Sequence, residues 1–184
     1  MPSLKALLLA GLTTLTATTL AAPTTTPHLT TLTTISKRAE YHPSPATEND
    51  YCGEANPQLT YGDNTPLAAD CKALYEANSG PGYWTVSAAE TRALDNAGGA
   101  DRWTRLAAQG SCAFEVRLSR ENDGAGKPGL VDYRFGTNDM AFYIKAHASE
   151  GAAKGGRIAA RSGVWCRREQ GQAQVRLDWR IVRA

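Results

Sequence analysis

An α+β fold, a small two-layer sandwich with two or three short helices on one face of an antiparallel sheet, is predicted by three observations. Three segments alternate strictly between apolar and charged residues, two others carry apolar residues at helical spacing, and four cysteines share their part of the 184-residue chain. Alternation with period two marks a half-buried strand, and helical spacing marks an amphipathic helix. Helices placed before and between antiparallel strands must cover the apolar side of the sheet.

In chain order, Thr65 and Pro66 precede apolar residues at Leu67, Cys71, Leu74 and Tyr75, predicting a short helix that ends near Asn78-Ser79-Gly80. Tyr83-Trp84-Thr85-Val86 follows a Gly-Pro-Gly turn and is aromatic and β-branched, hence a strand. From Ser87 to Gln109 helix formers gather around Ala88-Ala89-Glu90 and Arg102-Trp103-Thr104-Arg105-Leu106, separated by Gly98-Gly99. Cys112 to Leu118 sets Phe114, Val116 and Leu118 against Glu115 and Arg117. Val131, Tyr133 and Phe135 likewise oppose Asp132 and Arg134, and Val175, Leu177, Trp179 and Ile181 oppose Arg176, Asp178 and Arg180. Between these last two, Asn138 to His147 begins a capped helix running to about Ser149. Gly151 to Gly156 ends it, and Arg157 to Arg167 supplies another strand.

The N-terminus addresses the chain rather than building its fold. Lys5, the apolar run Ala6 to Leu12 and the small residues around Ala21 have the layout of a secretory signal peptide over residues 1–21, too short and threonine-diluted to span a bilayer. Residues 22–38 form a threonine-rich pro-segment with no periodic apolar face, closing on the dibasic Lys37-Arg38. Residues 39–50 read as a polar arm and 51–184 as one domain. Cleavage after Arg38 leaves 17 basic against 18 acidic side chains, so the basic balance of the whole chain does not argue for nucleic acid, and no nucleic-acid partner is expected. No transmembrane segment, cofactor or metal site is expected, and a monomer is. The mature part is acidic up to Asp101 and basic after it, which two halves folding against each other would explain.

Cys52, Cys71, Cys112 and Cys166 lack the close spacing of a zinc site or a redox pair, so in a secreted chain they imply two disulfides. Of the three connectivities, Cys52 with Cys112 and Cys71 with Cys166 is favoured. This pairing would fasten the first helix to a late strand and the arm to the start of the Cys112 strand.

The charged face would carry Glu115, Arg117, Asp132, Arg134, Arg176, Asp178 and Arg180. Small secreted ribonucleases place glutamate, arginine and histidine on such a sheet. Here His28 lies in the pro-segment, His42 in the arm and His147 on a helix, so a cross-strand charge ladder is the better reading. No nucleophile elbow, zinc-binding helix or phosphate loop appears, and no catalytic residue is assigned. The tryptophans default to the core, except Trp103, which with Arg102 and Arg105 forms a candidate exposed binding surface.

Several landmarks occur together in order: Tyr51-Cys52-Gly53, Pro66 with Asp70-Cys71, Gly82-Tyr83-Trp84-Thr85-Val86, Gly110-Ser111-Cys112-Ala113-Phe114-Glu115-Val116, Phe135-Gly136-Thr137-Asn138-Asp139, and Cys166 followed by Trp179 and Ile181. In this order the chain resembles the fungal extracellular protein 2 effectors, the necrosis-inducing-factor family. The resemblance implies a secreted virulence-type protein acting on an unknown host or microbial target, with no catalytic residues to carry over. An antimicrobial killer-toxin-like protein and a small secreted hydrolase such as a ribonuclease are the alternatives. The secreted form is expected to begin at Ala39; intact-mass measurement checks this, and a dominant species beginning near Ala22 would show that Lys37-Arg38 is not cut.

Overall fold

A computed structural model describes residues 39–87, 103–122, 131–167 and 174–184. The segments expected to be a signal peptide and pro-segment, with Ala21, Lys37 and Arg38, the helix formers at 88–90, Gly98-Gly99 and Arg102 lie outside the described residues. Within them the order is β1 (Glu40–Pro43), β2 (Gln58–Thr60), α1 (Ala68–Ala77), β3 (Gly82–Val86), β4 (Thr104–Gln109), β5 (Cys112–Leu118), β6 (Tyr133–Gly136), α2 (Thr137–Ala153), β7 (Ala159–Cys166) and β8 (Val175–Arg183).

The class is α+β, as the periodicities predict, but the strands form two antiparallel sheets rather than one. The larger runs β2-β7-β8-β5-β4 and the smaller β1-β3-β6. The reason is that a strand has only two edges: β5 pairs with β4 on one side and β8 on the other, so β6 pairs with β3 instead. Trp84 then faces Phe135, and Val86 faces Tyr133.

Alternation decides what is buried. Phe114, Val116, Leu177, Trp179 and Ile181 leave the larger sheet on one side, and all are buried. On that side Trp179 stacks on Phe114 at 5.8 Å and on Tyr143 of α2 at 4.8 Å. Phe135 of the smaller sheet reaches Phe114 at 5.4 Å and Tyr143 at 6.2 Å, so both sheets and α2 close one core. Aromatic pairs of this kind add about 0.5–1.5 kcal/mol each beyond the area they bury.

Two strands form for a common reason, an open strand edge beside them. The helix formers around Trp103 to Leu106 lead instead into strand β4, with Thr104 and Leu106 buried and a register shift between Arg105 and Ala107. The open edge of β5 supplies more hydrogen bonds than a short isolated helix, so pairing overrides propensity. The polar arm carries β1, whose Tyr41 and His42 pack on Trp84 and Tyr83 at 5.4 and 5.1 Å.

The disulfides join Cys52 to Cys166 and Cys71 to Cys112, correcting the pairing favoured from sequence. Local hydrogen bonds explain both. Gly53 N–H donates to Trp165 O and Arg167 N–H to Tyr51 O, so residues 51–53 run antiparallel to the end of β7 and bring Cys52 against Cys166. Helix α1 is docked on the β4–β5 turn: Ser111 N–H donates to Asp70 Oδ2 at 2.7 Å, and Leu67 N–H to Ser111 Oγ at 2.9 Å. That two-residue turn begins at Gly110 with φ of 54°, a backbone conformation that glycine adopts without strain.

Peptide mapping without reduction should recover the Cys52–Cys166 and Cys71–Cys112 peptides. Replacing Cys52 and Cys166 together by alanine should lower stability by about 3–5 kcal/mol, on loop-entropy grounds, and somewhat more than replacing Cys71 and Cys112, whose loop is shorter. Chemical denaturation of the two double variants checks the order.

Candidate functional site

The polar side of the larger sheet is assembled by register. Gln58, Arg161, Arg180, Glu115 and Arg105 form one cross-strand row with a residue from each of the five strands. Gly163, Asp178 and Arg117 form the next row on β7, β8 and β5, and Trp165 faces Arg176 beyond it. The ladder expected from sequence is therefore present. Glu115, 6 % exposed, accepts from Arg105 through one oxygen at 3.0 Å and from Arg180 through the other at 2.7 Å. Arg117 Nε pairs with Asp178 at 3.0 Å, and Arg176 Nε lies 3.1 Å from Glu121.

Trp103 lies across this face with a guanidinium over its ring from Arg117 and another from Arg180, each 4.4 Å from the ring centre. Such contacts are worth about 0.5–2 kcal/mol each, depending on desolvation. The indole N–H is buried and has no hydrogen-bond partner among the described residues. Beside it a groove of about 480 Å³ is lined by arginines from β5, β7 and β8 together with Asn56 and Gln58.

Not every expected residue joins this face. Asp132 and Arg134 lie just before and within β6, on the smaller sheet, where Arg134 sits over the Tyr83 ring at 4.6 Å. Arg105 is held in the ladder rather than offered as part of a separate Trp103 patch. Trp84 and Trp179 are buried as expected, whereas Trp165 is 39 % exposed, correcting its assignment to the core. Arg161 and Gln58 were not singled out in the sequence. The alternation of Arg161, Gly163 and Trp165 with Ala160, Val164 and Cys166 was the signal that could have found Arg161; Gln58, on a three-residue strand, had none.

His147 is on the other side of the sheet from Glu115. It projects from α2 and stacks on Trp179 with ring centres 6.3 Å apart, and burial holds its pKa below the usual imidazole range. No group of three histidine, cysteine or acidic residues among the described residues is arranged to hold a metal ion.

A second polar centre lies at the start of α2. The carboxylate of Asp139, 3 % exposed, accepts from the N–H of Tyr51 at 2.9 Å, of Cys52 at 3.0 Å and of Gly136 at 3.0 Å. Burial raises its pKa to about 7; the three N–H donors oppose that shift, and contact with the Asp50 side chain adds to it.

The model of the Hce2 family, described as "Pathogen effector; putative necrosis-inducing factor", matches residues 51–166, a span that includes all four cysteines, Asp139 and most of the larger sheet. The chain belongs to this pathogen-effector family. No curated protein matches it.

The raised Asp139 pKa has a definite sign in stability. Between about pH 4 and pH 7 the folded protein holds a proton that the unfolded chain releases, so the contribution is full at low pH and is lost as pH rises through 7. The thermal midpoint should fall by about 4–8 °C from pH 5 to pH 8. Asp139→Asn, which presents an amide to N–H donors, should cost about 1–3 kcal/mol and flatten the pH dependence. Scanning calorimetry across that range checks both.

Proposed function

We propose that the protein is a secreted effector that acts on a host or a competing microbe by binding, not by catalysis. The carrying observation is that Glu115 and His147, the residues an acid–base hydrolase would need, project from opposite sides of the larger sheet. Each Glu115 oxygen is already held by an arginine, Arg105 or Arg180. A general acid and base must reach the same bond, directly or through one water, and this pair does not share a surface.

Secretion is supported by the signal-peptide pattern and by two disulfides, which persist in oxidising compartments. No helix among the described residues is long and apolar enough to cross a membrane. The family match supports a pathogen-effector role. The target is a plant host or a competitor, met by a mature protein that begins at Ala39 and works as a monomer.

Purified mature protein applied in parallel to leaf tissue, competing fungi and RNA tests this reading. Cell death or growth arrest without RNA cleavage is expected. Glu115→Gln and His147→Ala should each keep activity within about threefold, against the loss of about a hundredfold or more that removal of a general acid or base produces. A hundredfold loss in a folded variant would overturn the binding reading.

A further inference from the structure

Like charges directly opposite one another on neighbouring strands are destabilising, yet Arg161 on β7 and Arg180 on β8 are direct partners. Their hydrogen bonds lead away from each other. Arg180 turns to Glu115 on β5, which it shares with Arg105, while Arg161 Nε donates to the amide oxygen of Gln58 on β2 at 3.1 Å. No carboxylate bridges the two guanidiniums among the described residues. The groove opens beside them, with Arg161 exposed and Arg180 partly so.

A second cationic position is built further along the groove. Gly163 stands where any side chain would collide with Arg176: a Cβ there would come within 2.6 Å of Arg176 Nη2 and 3.0 Å of its Nε. The missing side chain lets this guanidinium lean across β7 over the exposed Trp165 ring, 5.7 Å from its centre, while its Nε stays 3.1 Å from the Glu121 carboxylate. Arg176 and Arg180 are four residues apart on one strand, about 13 Å. Backbone anchors that far apart suit an extended ligand better than a single small anion.

We infer that this groove binds an acidic oligosaccharide, with one acid group between Arg161 and Arg180, a second near Arg176, and a sugar ring against Trp165, the cross-strand partner of Arg176 just outside the groove lining. Guanidinium forks donate in pairs to carboxylate or sulfate oxygens. Asn56 and Gln58 on the wall offer amides that pair with sugar hydroxyls. Trp165 supplies an apolar face of the kind that packs on a pyranose ring. A nucleic acid is disfavoured because the Trp103 ring is already engaged by two arginines and because the mature chain carries no net positive charge. The inference deepens the binding reading by naming the ligand class, and rests on it.

The test titrates the mature protein with a short oligogalacturonide, a neutral cello-oligosaccharide, inorganic sulfate and a single-stranded oligonucleotide of matched charge. Binding is followed by calorimetry and tryptophan fluorescence in about 0.1 M salt. The acidic sugar should bind at least about tenfold more tightly than each of the other three. Arg161→Gln should weaken it about tenfold, and Trp165→Ala about fivefold. Lys154→Gln, which alters a cation paired with Glu150 on α2, should leave it unchanged. Circular dichroism and the thermal midpoint confirm that the variants fold. Equal affinity for the neutral sugar, preference for the oligonucleotide, no binding by the acidic sugar, or full affinity in folded Arg161→Gln would each overturn the inference. Cell death or growth arrest without sugar binding would sink it while leaving the binding reading standing; sugar binding with RNA cleavage dependent on Glu115 and His147 would do the reverse.

Discussion

A carboxylate taken out of water must be given donors, and Asp139 obtains three from parts of the chain that are far apart in sequence. Tyr51 and Cys52 come from the start of the family-matched region, and Gly136 ends β6 at the first turn of α2. One side chain thereby fixes the strand segment that carries Cys52, the exit from the smaller sheet and the start of the longer helix. Asn49 O accepts from Asn138 N–H at 2.9 Å, and Tyr143 OH donates to Gly53 O at 2.6 Å, extending the same seam. The Cys52–Cys166 bond then ties it to the end of β7. With α2 so held, Tyr143 is delivered to Trp179, and the two sheets can share one core.

That core sets the character of the opposite side. Because Phe114, Val116, Leu177 and Trp179 all turn inward, the residues between them all turn outward, and the outward set is almost entirely charged. Most of this charge is neutralised across strands, as in an ordinary ladder. The exception is the β7–β8 pair of Arg161 with Arg180, where register places like charge against like. A stability argument alone would not keep that pair beside an open groove, whereas a ligand bearing oxyanions would stabilise it.

How much of this could be read in advance depends on whether a feature is local. The strands β5 and β8 alternate over seven or more residues, and α1 and α2 carry apolar residues at helical spacing, so their existence, type and buried faces were legible. The ladder of Glu115, Arg117, Arg176, Asp178 and Arg180 followed directly, since a strand that buries one face must present the other. Strands β1, β2 and β4 were not legible: they are short edge strands with weak patterns of their own, formed because a neighbouring edge offers unpaired N–H and C=O groups. Trp103 was singled out, but not the two guanidiniums that hold it, because those come from β5 and β8.

The sequence by itself determined the α+β class, the inward faces of the central elements, the oxidised state of four cysteines and the family to which the chain belongs. These rest on periods of two and 3.6 residues, on cysteine count and on ordered landmarks, all of which are properties of the chain read in one direction. The tertiary structure decided that the strands divide into two sheets, that Cys52 meets Cys166 and Cys71 meets Cys112, and that Arg161 stands against Arg180. Each of these is a choice among partners distant in sequence, settled by competition for strand edges and for the few N–H groups that can satisfy Asp70 and Asp139.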